Sequence, residues 1–217
     1  MNIYVLKYEE NEGSFLPFLS VQRKSSVENI TNPAVRREKI YSYALLRYAL
    51  FKDFGISVPP VFDYGERGKP YLRDNPGIGF SISHAGGKAA CVCGEIPVGL
   101  DIQDIRPLKA DISAKICTAD ELSLLEQADD KGREICRLWC VKESAGKLTG
   151  KGFAEGFTNI ETAELIKNSR TFVTENNGFF IALTAEKPLS DVVITDVGEE
   201  ELFTVLNLAF CPKRDDS

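Results

Sequence analysis

Val98-Gly99-Leu100-Asp101-Ile102-Gln103 is followed, about forty residues on, by Leu138-Trp139-Cys140-Val141-Lys142-Glu143-Ser144-Ala145-Gly146-Lys147. The first stretch reads as an apolar strand ending in an acid, the second as a helix on which Glu143 and Lys147 share a face. Each element alone is ordinary. Most strand-end aspartates are solvated, and a Glu–Lys pair four residues apart is usually a surface salt bridge. Here Leu138 and Trp139 occupy the preceding turn and set the pair beside apolar surface. A strand carboxylate joined to a helical carboxylate and ammonium can hold a divalent cation next to a phosphate. Magnesium in particular takes one or two carboxylates and completes its shell with substrate oxygens and water.

Working outward, the strand at 97–103 is the last of three, after 78–84 and 88–94, with breaks at Gly86-Gly87 and Glu95-Ile96-Pro97. Upstream, residues 2–7 suggest a first strand, and short strands fall near 60–63 and 70–72. Asn32-Pro33 opens a helix to about Phe54, with Tyr41, Ala44, Leu45, Tyr48 and Phe51 on one stripe and Gly55 as its stop. Arg36, Arg37 and Lys39 put positive charge on its first turns. Downstream of Arg106-Pro107, Thr118-Ala119-Asp120-Glu121 is a capping box for a short helix, and a longer helix covers about 131–148. Asn176-Asn177-Gly178 separates two apolar runs as a hairpin turn does. Residues 192–197 suggest a strand, 199–209 fit helix or strand, and 212–217 read as a loose tail. The chain thus divides at about 105 into two halves, 1–105 and 106–217, each a helix with several strands. No identity-level repeat relates them.

Composition narrows the function. With 43% hydrophobic and 27% charged residues the 217-residue chain is an ordinary globular protein. No run approaches the ~20 apolar residues of a membrane helix. The N-terminal residues lack a basic region and a cleavage site, so a cytoplasmic location and no membrane partner are expected. The net charge of -6 lies wholly in the second half, which makes nucleic acid a poor partner. Of the six cysteines, Cys91, Cys93, Cys117, Cys136 and Cys140 sit in apolar runs and read as reduced, buried thiols. A zinc site from Cys91, Cys93, Cys136 and Cys140 has the wrong ligand spacing.

The only histidine, His84, follows Ser83 and precedes Ala85-Gly86-Gly87. Small residues there let a ligand approach the backbone, so Ser83 and His84 are candidate phosphate contacts, although a lone histidine in a strand is more often a core residue. Gly86-Gly87-Lys88 and Thr149-Gly150-Lys151-Gly152 do not complete a P-loop, and no Gly-x-Ser-x-Gly elbow is present.

Taken together, the segments resemble the 4'-phosphopantetheinyl transferases of the larger, Sfp-type branch. Gly68-Lys69-Pro70 matches the family's first motif, and Phe80-Ser81-Ile82-Ser83-His84 its Phe-Asn-Ile-Ser-His segment. Val98-Gly99-Leu100-Asp101 matches Ile-Gly-Ile-Asp. Trp139, Lys142, Glu143, Ser144 and Lys147 complete Trp-x-x-Lys-Glu-Ser-x-x-Lys, followed by Gly150-Lys151-Gly152-Phe153.

The resemblance implies an α+β pseudo-dimer of two similar helix-plus-sheet halves, monomeric, with coenzyme A bound in the cleft between them. It implies transfer of the 4'-phosphopantetheine arm to a serine of an acyl or peptidyl carrier protein, with release of adenosine 3',5'-bisphosphate. Magnesium would sit on Asp101 and Glu143, with Gln103 where many members carry an acid. Glu143 and Lys147 would be catalytic, and Arg36, Arg37, Lys39, Lys69, Ser83 and His84 would grip coenzyme A. The competing classes are a metal-dependent coenzyme A phosphohydrolase and an inactive module that binds coenzyme A or its carrier.

Overall fold

The computed structural model describes residues 1–9, 11–106, 112–152 and 156–210. Phe153, Cys211 and the expected tail from 212 lie outside them. In chain order come β1 (Asn2–Lys7), a 3-10 turn (Glu12–Phe18), α1 (Val21–Glu28), α2 (Pro33–Phe54), β2 (Phe62–Tyr64), β3 (Pro70–Leu72), β4 (Gly79–Ala85), β5 (Lys88–Gly94) and β6 (Val98–Asp104). They are followed by α3 (Ser113–Ile116), α4 (Ala119–Glu126), α5 (Lys131–Thr149), a 3-10 turn (Phe157–Asn159), α6 (Thr162–Lys167), β7 (Thr171–Asn176), β8 (Phe179–Ala185), β9 (Val193–Val197) and α7 (Glu199–Phe210).

The local chemistry explains the boundaries. The Asn32 side chain accepts the Ala34 N–H at 3.0 Å, Pro33 opens α2, and Gly55 ends it at φ +67°. The middle of α2, from Ile40 to Leu50, is buried on every side, because the first sheet, the 3-10 turn before α1, and α7 all pack on it. Asn177 and Gly178 take positive φ (50° and 80°), the backbone of the tight two-residue turn that joins β7 to β8. The stretch that fitted helix or strand is helical. Glu199, Glu200 and Glu201 complement the dipole in its first turn, and Leu202 and Leu206 fill the core against α2.

Two sheets carry the architecture. The first has the order β4-β5-β1-β9 and packs on α2; the second has the order β6-β8-β7 and packs on α5. Each is thus a helix against a small, mostly antiparallel sheet, an α+β arrangement. The pairing crosses the expected division at residue 105 in both directions. β6, assigned by sequence to the first half, pairs antiparallel with β8, Asp101 opposite Ala182. β9, from the second half, adds in parallel to β1, Asn2 opposite Val193. The reason is burial. Leu100 and Ile102 share a core with Ile181 and Leu183, so register with β8 fixes β6 there.

The sheets meet along β4 and β6, where side chains replace a backbone ladder. The Ser81 hydroxyl accepts the Leu100 N–H at 2.9 Å, and the Ser83 hydroxyl donates to Asp101 Oδ1 at 2.8 Å. Cys91, Cys93, Cys117, Cys136 and Cys140 are buried free thiols. No helix among the described residues is long and apolar enough to cross a membrane.

Candidate active site

Alternation along β6 sends Leu100 and Ile102 into the core of the second sheet and leaves Gly99 and Asp101 on the face covered by α5. Gly99 is what lets the helix come so close. A Cβ at that position would stand 2.0 Å from the Ser144 carbonyl oxygen and 2.3 Å from the Leu148 nitrogen. Other ties fix the helix in rotation. The Cys140 thiol reaches the Asp101 and Phe180 carbonyl oxygens, both at 3.4 Å. Ser144 shares a 2.7 Å hydrogen bond with the Thr184 hydroxyl, which in turn lies 2.9 Å from that of Thr171. Trp139 meets Phe157 edge-on at 5.4 Å.

Seated in this way, α5 delivers Lys147 to Asp101. The ammonium donates to Asp101 Oδ1 at 2.7 Å and to the Ser83 hydroxyl at 2.8 Å, closing a three-membered cluster from β4, β6 and α5. The Asp101 side chain is 8% exposed and that of Lys147 31%, so the carboxylate is buried and the ammonium is the member of the cluster that reaches the surface. Glu143, one turn back, is half-buried. Burial first, and the Asp101 charge second, push its carboxyl above the ordinary glutamate range, with Lys147 opposing. Two carboxylates sharing a partly dry site, one still raised in spite of a nearby ammonium, form a donor set suited to a further cation. No cluster of three or more His, Cys, Asp or Glu side chains suited to a metal occurs among the described residues. Gln103, half-buried and two residues along β6 from Asp101, supplies an amide and no charge. Its amide nitrogen donates to the Asp104 carbonyl at 3.4 Å.

Beside Lys147 opens a cleft of about 340 Å³. Its walls include Arg23, Arg67, Phe62, Tyr64, Phe80 and Lys147, so cations and aromatic rings face one space. Burial lowers the Arg23 guanidinium below its usual value, and it lies 5.2 Å and 5.4 Å from the ring centres of Tyr43 and Phe62. Sequence reasoning missed Arg23. Its helix, Val21-Gln22-Arg23-Lys24-Ser25-Ser26-Val27-Glu28, has no apolar stripe to announce it.

The expected anion contacts separate into two groups. Ser83 belongs to the cluster just described, whereas the His84 side chain points toward α2, its Nδ1 3.4 Å from Glu38 Oε2 with 47% of the side chain exposed. That contact draws the first turns of α2 near the end of β4. There Arg37 Nε lies 3.5 Å and Arg36 4.0 Å from Glu12, and Lys39 is exposed. Lys69 departs from expectation. Its ammonium donates to the Val98 and Leu148 carbonyls at 3.0 and 2.9 Å, tying the start of β6 to the end of α5, so that its stem lines the cleft.

Residues 97–196 match the model of the 4'-phosphopantetheinyl transferase superfamily. The chain is 28% identical over 157 residues to the 4'-phosphopantetheinyl transferase psf-1 of Bacillus pumilus, covering 71% of this chain and 67% of that one. It is also 28% identical over 215 residues to the 4'-phosphopantetheinyl transferase Sfp of Bacillus subtilis (strain 168), covering 91% and 95%. Among solved structures, the holo-[acyl-carrier-protein] synthase of Thermotoga maritima overlays on 43% of this chain and 64% of its own, with a TM-score of 0.31 and 17% identity.

Proposed function

We propose how this chain, a 4'-phosphopantetheinyl transferase of the Sfp type, works: it moves the phosphopantetheine arm of coenzyme A to a carrier-protein serine in a magnesium-dependent reaction centred on Asp101, Glu143 and Lys147. The observation that carries the reading is the cluster of Asp101, Lys147 and Ser83, with Glu143 one turn away, whose Lys147 lines a cleft walled also by Arg23, Arg67 and three aromatic rings. Cations at this spacing suit the phosphates of coenzyme A and the rings suit its base.

Asp101 and Glu143 fit a magnesium ion, because they are two electrostatically coupled carboxylates, the number of protein ligands this ion commonly takes beside substrate oxygens and water. When bound there, the metal supplies Lewis-acid neutralisation of the diphosphate. The chain's own residues do the rest. Lys147 turns from Asp101 toward the bridging oxygen and stabilises the charge that develops as the phosphorus–oxygen bond breaks. Glu143, its carboxyl raised above the ordinary glutamate range by burial and the Asp101 charge, takes the proton of the attacking serine hydroxyl. The new bond joins the serine oxygen to phosphorus, and adenosine 3',5'-bisphosphate leaves. Arg23 and Arg67 hold phosphate oxygens along the cleft, and His84, with Arg36, Arg37 and Lys39 behind it, meets the 3'-phosphate. The protein acts as a cytoplasmic monomer with an acyl or peptidyl carrier protein as its partner.

The decisive experiment is mass spectrometry of an apo-carrier protein incubated with this enzyme, coenzyme A and magnesium. A transferase adds the arm to the carrier. Cleaved coenzyme A without a carrier adduct would make it a phosphohydrolase, and neither product would leave only a binding module.

A further inference from the structure

Lys142 is fully buried, and its ammonium uses all three protons. It donates to the carbonyls of Phe157 and Ile160, both at 2.9 Å, and lies 2.6 Å from Glu121 Oε2. Glu121, with 5% of its side chain exposed, is equally saturated. Its Oε2 also accepts the Thr118 N–H at 2.9 Å, and its Oε1 accepts the Thr162 hydroxyl at 2.7 Å and the Thr162 N–H at 3.3 Å. Burial alone would push the Glu121 carboxyl up. The bonds from Lys142, Thr118 and Thr162 outweigh it and hold the group below its ordinary value.

The sequence gives Glu121 only a local task, the capping box of α4, which it does perform. The network reaches further. It pins the segment from Phe157 to Thr162 onto α5, one residue from Glu143. The opposite end of the same connection leaves α5 at Gly150, and Gly150 and Gly152 form one wall of the cleft. A Cβ on Gly146 would lie 3.3 Å from the Gly152 Cα, so this wall rests directly on the helix turn that carries Lys147. The connection after α5 is therefore held at both ends, at Gly150–Gly152 by the helix and at 157–162 by the buried pair.

We propose that Glu121 is a positioning residue for the transfer site: through Lys142 it ties α5 to the 157–162 segment and so fixes the setting of α5, which carries Glu143 and bears the Gly150–Gly152 wall of the coenzyme cleft. The proposal rests on the cleft being the coenzyme A site. It differs from a purely stabilising role in what happens when the pair is replaced rather than broken. Removing one partner leaves an uncompensated buried charge and destabilises, whereas an isosteric uncharged pair is often neutral for folding.

The test compares Glu121→Gln, Lys142→Met and the double variant by thermal melting, by calorimetric titration with coenzyme A and by steady-state transfer. Each single variant lowers the melting midpoint, and the double variant recovers the part owed to the uncompensated charge, while the Phe157 and Ile160 carbonyls still lack the Lys142 ammonium. The double variant still binds coenzyme A on the order of tenfold more weakly, because no ammonium ties α5 to the Phe157 and Ile160 carbonyls and the helix that bears the wall is misplaced. Lys142→Arg, which keeps the charge, restores affinity in part. A double variant with wild-type affinity and kinetics would overturn the proposal and leave the pair purely structural. Wild-type protein that binds no coenzyme A would instead overturn the functional reading, and the proposal with it.

Discussion

Replacing Gly99 by alanine tests how the site is assembled with a single methyl group. The new Cβ would stand 2.0 Å from the Ser144 carbonyl oxygen, 2.3 Å from the Leu148 nitrogen and 2.9 Å from the Leu148 Cα. Carbon–oxygen contacts settle at about 3.3–3.6 Å, so α5 must retreat by roughly 1.3 Å at this turn. The obstacles are backbone atoms and no rotamer change relieves them. Overpacking of this kind costs about 1–3 kcal/mol, which in a domain of this size lowers the melting midpoint by about 2–12 °C. The same retreat stretches the 2.7 Å contact between Lys147 and Asp101 beyond hydrogen-bonding length. Misplacement by about 1 Å costs on the order of 10²-fold in rate.

Activity is therefore expected to fall far more than stability, which stopped-flow or radiolabel transfer to a carrier protein would measure beside a thermal melt. Gly132→Ala, in the first turn of the same helix, is the control. Its Cβ would meet only Asp130 Oδ1 at 3.5 Å, so that variant should keep full activity. A folded Gly99→Ala protein transferring at the wild-type rate would refute the claim that the close approach of α5 to β6 sets the geometry.

Four further outcomes follow from the site. Asp101→Ala and Glu143→Ala each lower carrier loading by about 10²–10³-fold, and Asp101→Ala alone also lowers the melting midpoint, because Ser83 and Lys147 lose their acceptor; near-normal turnover of both at limiting magnesium would remove the metal assignment. Lys147→Ala lowers kcat more than it raises KM for coenzyme A, whereas His84→Ala mainly raises KM, and does so less for the 3'-dephospho form. Because the folded state raises the Glu143 pKa, it binds that proton more tightly than the unfolded chain, so its contribution is present in acid and lost as pH rises from about 4.3 through the raised value. Glu143→Gln should consequently melt higher than wild type at neutral pH and equally at pH 3–4, and a constant difference across that range would contradict the burial argument. Gln103→Glu adds a charge on the Asp101 face of β6 and should tighten magnesium in calorimetry before coenzyme A is added; unchanged binding would place residue 103 outside the metal's reach.

Much of the site could be read in the chain because its chemistry is local. Glu143 and Lys147 are one turn apart on a helix, and the apolar alternation before Asp101 marks its strand. What joins them was not legible. Nothing in Val98-Gly99-Leu100-Asp101 says that β6 leaves its sequence neighbours for β8, since a strand with apolar residues at 98, 100 and 102 fits either sheet until partners are known. Arg23 escaped notice because a short polar helix carries no periodicity. Lys69 is a coenzyme A contact only by the resemblance of Gly68-Lys69-Pro70 to the family's first motif, whereas two carbonyls brought together from Val98 and Leu148 take two of its three protons. Glu121 looked complete as a cap. Its second partner, Lys142, is met only in three dimensions.

The parallel addition of β9 to β1 bears on when the site comes into being during synthesis. Asn2 to Leu6 pair with Val193 to Val197, so β1 waits for a strand made about 190 residues later before that side of the first sheet is complete. Pairings of such sequence separation form late, because the loop must close before any contact rewards it. Until then β1 offers an open strand edge, a surface prone to unwanted pairing in a nascent chain. Met1 and Asp191 are joined by a hydrogen bond as the strands align. The half-made intermediate, with β1 unpaired along that edge, is the form that chaperones would meet.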